Sequence, residues 1–145
     1  TIDKNDKIIS TTSATTQVLA LMLKVLDDDF GVKQAMMTTV HAYTSDQPLA
    51  DAVRSDLRRS RSAVENIIPN ETWAPDYVSQ LMPQFKDKIA GMAMNVPVAN
   101  GSCVDLTTEM NEMPSIEEVN AAFKNASENS FKNILNLPFQ AQLLA

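Results

Sequence analysis

One imidazole, His41, and one thiol, Cys103, stand alone in a chain of 145 residues. An imidazole exchanges protons near neutral pH, and an ionised thiol is the strongest nucleophile among ordinary side chains. With one of each, the four protein ligands of a structural zinc site cannot be assembled, and no internal disulfide can form. Only three glycines occur, and none lies in a G-x-G-x-x-G pattern or a glycine-rich phosphate loop. No metal chemistry and no dinucleotide-binding turn of the usual kind is therefore expected. Four arginines, Arg54, Arg58, Arg59 and Arg61, crowd one segment. They could grip an acidic ligand, although salt bridges on the surface or between subunits are the simpler use.

These groups need elements to hold them. Ser13, Thr15 and Thr16 offer caps for a helix whose apolar stripe is Val18, Leu19, Leu21, Met22, Val25 and Leu26. Acids sit poorly at a helix C-terminus, so the run Asp27-Asp28-Asp29 predicts an end near Asp28. A short extended stretch, Lys7–Ser10, precedes this helix. Residues 32–44 become β-branched and aromatic and read as the strand bearing His41. Residues 45–70 read as a long ordered loop with short helical turns. Pro75–Met82 reads as a short helix with proline in its first turn. Ile89–Val98 and Ser102–Met110 read as two strands forming an antiparallel hairpin through Ala99-Asn100-Gly101. Ser115 and Glu118 make a capping box for a helix to about Ser127. Phe131–Leu135 is a further helical turn, and Leu137–Ala145 an apolar tail. Met36, Met37, Met92 and Met94 are expected as core filling, and Cys103 as a small, half-buried strand residue. The pattern is α+β, a mixed, largely antiparallel sheet covered by helices.

Composition sets outer bounds. Hydrophobic residues make up 44% and charged residues 21%, which suits one globular domain over residues 1–145. A net charge of −6 opposes general nucleic-acid binding, which requires a positive field. No apolar run reaches the length of a membrane span, so no membrane partner is expected. The single cysteine fits a reducing, cytoplasmic setting.

Four segments together resemble glyceraldehyde-3-phosphate dehydrogenase. Ser13-Ala14-Thr15-Thr16-Gln17 stands where that family has Ser-Cys-Thr-Thr-Asn. Thr38-Thr39-Val40-His41-Ala42-Tyr43-Thr44 resembles the strand with its catalytic histidine. Asp56-Leu57-Arg58-Arg59-Ser60-Arg61 through Asn66-Ile67-Ile68-Pro69 resembles its long S-shaped loop. Gly91-Met92-Ala93-Met94-Asn95-Val96-Pro97, followed by Val104-Asp105-Leu106-Thr107, resembles its core hairpin. Order and spacing agree across roughly residues 7–136.

The resemblance implies a thiol at a helix start that attacks an aldehyde, a histidine that activates it, hydride transfer to NAD and release of an acyl phosphate. Ala14 occupies the nucleophile position, so that chemistry loses its first step, while His41 stays as the retained base. Without the thiol, a strand histidine satisfied by a local hydrogen bond becomes its simpler role. Ser13, Thr15 and Thr72 match family positions that bind inorganic phosphate, and Thr44 one near the substrate phosphate. A phosphate or sulfate at the helix start is thus expected as a partner, with capping the simpler role for Ser13 and Thr15. Other departures accompany Ala14. Gln17 replaces asparagine, Asn95 replaces a phosphate-gripping arginine, and Trp73 replaces a glycine that lets phosphate approach the backbone.

The family's nucleotide-binding domain is expected to be absent from this chain, and 137–145 to be a divergent tail that covers a sheet edge in a homo-oligomer. No cofactor is expected on the chain alone, NAD being implied only by the resemblance. The leading functional expectation is a non-catalytic binding or assembly module. The alternatives are an oxidoreductase domain for phosphorylated aldehydes that needs a separate nucleotide-binding chain or altered chemistry, and a translated gene fragment without selected function.

Overall fold

The first long helix shows how local sequence sets an element's limits. In the computed structural model, which describes residues 3–137, α1 spans Ala14–Phe30, and the Ser13 hydroxyl caps it by accepting the Thr16 N–H at 3.1 Å. The helix runs two residues beyond the expected end at Asp28, because the acids find partners there. Asp28 pairs with Lys24 one turn earlier, and the Asp27 carboxylate accepts the N–H of Val32 at 2.9 Å. Gly31, at φ 66, then turns the chain out, a left-handed conformation that costs glycine little. Lys7–Ser10 enters no strand among the described residues.

The strands are β1 (Val32–Ala42), β2 (Ile68–Asn70), β3 (Ile89–Val96) and β4 (Ser102–Met110), and the later helices are α2 (Ala74–Leu81) and α3 (Ile116–Glu128). Both halves of the capping box at Ser115 and Glu118 form. Phe131–Leu135 makes hydrogen-bonded turns onto the Phe131 carbonyl. The sheet order is β2-β3-β1-β4, with β1–β3 parallel and the other two pairs antiparallel. The fold is α+β with a mixed sheet, as the sequence predicts.

Two expectations about strands change. β3 and β4 do not pair as a hairpin, because β1 lies between them. The Asn100-Gly101 turn forms, with Gly101 at φ 88, but it carries the chain over the end of β1. Val98 and Gly101 carbonyls there accept the N–H groups of Tyr43 and Ala42. A turn signal fixes the reversal of direction and not the neighbour. The long loop is also shorter than expected, since its last residues, Ile68–Asn70, form β2 against β3.

α1 and α2 pack on the sheet face that carries Met37. Leu19, Leu23, Met37, Val78 and Phe85 are fully buried there, with Val104, Leu106 and Met110 of β4 against them. Each such side chain contributes about 1.5–3 kcal/mol by leaving water. Gly91 permits the contact with α2, since a Cβ there would lie 3.0 Å from Pro75 Cγ and 3.1 Å from Met37 Cγ. Of the methionines expected as core filling, only Met37 is in this core. Met36, Met92 and Met94 alternate onto the other face, where Met36 is 57% exposed. The tail expected at Leu137–Ala145 lies, beyond Leu137, outside the described residues.

Candidate functional site

Alternation along β1 decides what surrounds the histidine. Met37, Thr39 and His41 share the helix-side face, and their β3 partners Gly91, Ala93 and Asn95 share it with them. Towards the C-terminal end of β1 the apolar core gives way to a small open pocket of about 170 Å³. The start of α1 supplies Ser13 and Thr15, β1 supplies Thr39 and His41, and β3 supplies Ala93 and Asn95. Thr44 and the segment Asn70, Glu71, Thr72 complete the wall. The site residues expected from the sequence, Ser13, Thr15, His41, Thr44 and Thr72, thus meet in one place around the helix start that Ala14 opens.

The hydrogen bonds assign several protons. His41 is half-buried, and its Nδ1 donates to the Ala42 carbonyl at 2.8 Å, which leaves Nε2 as an acceptor in the neutral ring. Asn95, buried, donates from Nδ2 to the same carbonyl at 3.2 Å and accepts from Asn70 Nδ2 at 3.4 Å. The Thr44 hydroxyl donates to Asp46. That bond, ahead of the opposing effect of partial burial and the help of Arg59 and Arg54, holds the Asp46 carboxyl below its ordinary range. The Thr72 hydroxyl accepts the N–H of Ala74 at 3.3 Å. Ser13 caps α1 and Thr15 does not. Thr39 is 3% exposed, and its hydroxyl has no partner among the described residues.

Cys103 is exposed rather than half-buried, because it lies on the sheet face that α1 and α2 leave uncovered. It pairs with Val40, so it points to the opposite face of the sheet from His41. Trp73 does not enter the pocket. It is 67% exposed and lines a separate open groove of about 1350 Å³ with Arg54, Arg58, Arg59, Asp76 and Met92. Within the loop, Arg59 pairs with Asp46 at 3.4 Å and Arg61 with Asp51 at 3.1 Å.

A family model described as glyceraldehyde 3-phosphate dehydrogenase, C-terminal domain, matches residues 13–142. The chain belongs to that family. It is 51% identical over 131 residues to glyceraldehyde-3-phosphate dehydrogenase 1 of Bacillus subtilis, covering 90% of this chain and 39% of the relative. It is 48% identical over 133 residues to glyceraldehyde-3-phosphate dehydrogenase of Mycobacterium tuberculosis, covering 92% of this chain and 39% of that relative. The chain thus spans about two-fifths of the length of these relatives.

Within this glyceraldehyde-3-phosphate dehydrogenase domain, the polar pocket residues Thr39, Asn70 and Glu71, together with Ala93, are not marked as site residues by the sequence motifs. Thr39 was within reach of the sequence, since a residue two before a strand histidine shares its face. Asn70 and Glu71 carried no such signal, because they reach the pocket only through the pairing of β2 with β3. No helix among the described residues is long and apolar enough to cross a membrane.

Proposed function

We propose that this domain is non-catalytic and serves as a binding or assembly module on the dehydrogenase fold. The observation that carries this reading is Ala14, first residue of α1, beside a pocket that keeps His41, Thr15 and Thr72. Covalent catalysis on an aldehyde needs a nucleophile within hydrogen-bond reach of its base. A methyl group has no lone pair to offer, the Ser13 oxygen is occupied as a cap, and Cys103 faces away. Ser13, Thr15, Thr44 and Thr72 remain as ligand-binding groups in this reading, and NAD is not held by the chain alone.

Association with further copies belongs to the same proposal. It is supported by the apolar residues Met36, Val40, Met92, Met94 and Val96 on the sheet face away from α1 and α2. The position of β4 at a sheet edge adds to it. Light scattering on the purified chain is expected to show an oligomer, and a monodisperse monomer would overturn this part.

The non-catalytic reading is tested by incubating the chain with an activated acyl ester and mapping adducts by mass spectrometry. No adduct is expected in the pocket. Ala14→Cys is expected to gain one there, and to react with iodoacetamide at neutral pH about tenfold faster than Cys103, because a helix start favours thiolate. An acyl adduct on a pocket side chain of the unaltered protein would refute the proposal.

A further inference from the structure

We propose that Asn100-Gly101 is a site of self-modification, where the chain converts its own asparagine to isoaspartate and so loosens the end of β1 beside His41. Of the three glycines, Gly101 alone follows an asparagine. Asn100, Gly101 and Ser102 are all exposed, where the connection from β3 enters β4. The Asn100 side chain folds back on the main chain, its Oδ1 accepting the Gly101 N–H at 2.8 Å. Among the described residues, that nitrogen donates to no backbone carbonyl. Gly101 has no Cβ, and the space where one would stand holds no atom within 4 Å. The nitrogen is thus kept beside the side-chain amide with no bulk around it. Other asparagines are placed differently. The Asn95 amide is buried and donates to the Ala42 carbonyl. Asn120 and Asn125 lie in α3, where the next backbone nitrogen carries a helical bond.

The step balances with water as the only co-reactant. The Gly101 nitrogen loses its proton to solvent, and its lone pair attacks the side-chain carbonyl carbon of Asn100. The bond from that carbon to the amide nitrogen breaks. A solvent proton returns to the departing nitrogen, which leaves as ammonia. Water then opens the five-membered imide at one of its two carbonyls. Opening at the side-chain carbonyl gives aspartate. Opening at the main-chain carbonyl gives isoaspartate, whose main chain runs through the former side chain. That route adds one carbon–carbon bond, about 1.5 Å, to the main chain. The Gly101 carbonyl accepts the N–H of Ala42 at 3.1 Å, near the long end of a hydrogen bond's range, so a shift of that size breaks it. The Ala42 carbonyl in turn accepts from His41 Nδ1 and from Asn95 Nδ2. The turn therefore holds the residue on which both side chains rest.

The 145-residue chain is incubated in mildly alkaline buffer, folded and in urea. Peptides are then mapped by mass spectrometry with electron-transfer fragmentation, which distinguishes isoaspartate from aspartate. Isoaspartate is expected at position 100 of the folded chain, forming within about tenfold of its rate in urea, because no part of the fold must open first. The single histidine gives one imidazole signal in nuclear magnetic resonance, and a second is expected to grow with the isoaspartate fraction. Amide exchange at Ala42 is expected to quicken about tenfold in the converted chain, the effect of one lost hydrogen bond. Asn100→Gln changes an exposed side chain and would require a larger ring, so it is expected to show neither change over the same interval. Stronger protection by the fold, or no isoaspartate at position 100, would overturn the inference. So would isoaspartate there that leaves His41 and Ala42 unmoved, or the same changes in Asn100→Gln.

Discussion

Two concavities meet at the segment Asn70-Glu71-Thr72, which lines both. On one side lies the small pocket at the start of α1, walled by hydroxyls and amides. On the other lies the larger groove under the loop, walled by Arg54, Arg58 and Arg59, the carboxylates of Asp56 and Asp76, and Trp73. Three departures from the family pattern divide between them, while the fourth, Gln17, donates to the Thr11 carbonyl outside both. Asn95 lines the pocket without bringing a charge, and Ala14 opens the helix beside it without filling it. Trp73 adds an aromatic surface to the groove and leaves the pocket open. Side chains at the two concavities can therefore differ from the family pattern while the shape, set by sheet register and helix packing, stays open.

The largest test breaks the comparison by removing the floor common to both concavities. Leu23 is fully buried between α1 and the sheet. Leu23→Ala is expected to cost about 3 kcal/mol in urea unfolding, from lost burial and the cavity left behind. Both sites should fail together, and loss of one alone would show that they do not depend on a single core.

The next test sharpens the comparison. Asn95→Arg adds a guanidinium to the pocket alone and is expected to tighten phosphate binding about tenfold or more, since a bond to a charged group is stronger than a neutral one. Calorimetric titration would read the change. An unaltered phosphate affinity would mean that charge at this position does not select the ligand. Thr39→Val should act in the opposite sense on stability, raising it by about 1 kcal/mol in the same urea experiment, because a buried hydroxyl without a partner is removed.

The smallest effect separates the regions by pH. Thr44 and the arginines hold Asp46 below its ordinary value, and the Ser62 N–H and Arg61 do the same for Asp51. A carboxyl depressed in the fold contributes its full stability above the ordinary value, about pH 4. That contribution is lost as pH falls through the lower folded value. The loop is therefore expected to loosen in acid below about pH 4, seen as faster amide exchange between residues 45 and 62. Exchange that rises equally in α1 and in the loop would assign the acid response to the whole fold instead.

Several features were determined by the sequence alone because they depend on neighbours in the chain. The cap at Ser13, the capping box at Ser115 and Glu118, the strand carrying His41 and the turn at Asn100-Gly101 all follow from local chemistry and spacing. So does the family, whose pattern is carried by short linear motifs, and so does the alanine at position 14, where the resemblance has a cysteine. What the tertiary structure decided depends on which strand lies beside which. Hydrophobic alternation assigns a residue to a face and leaves the neighbouring strand open, so the insertion of β1 between β3 and β4 was invisible. That insertion sets Asn95 and Ser102 on either side of His41 and sends Cys103 to the far face. The pairing of β2 with β3 brings Asn70 and Glu71 to the pocket, and Thr39 is left buried without a partner among the described residues, which no linear pattern could disclose.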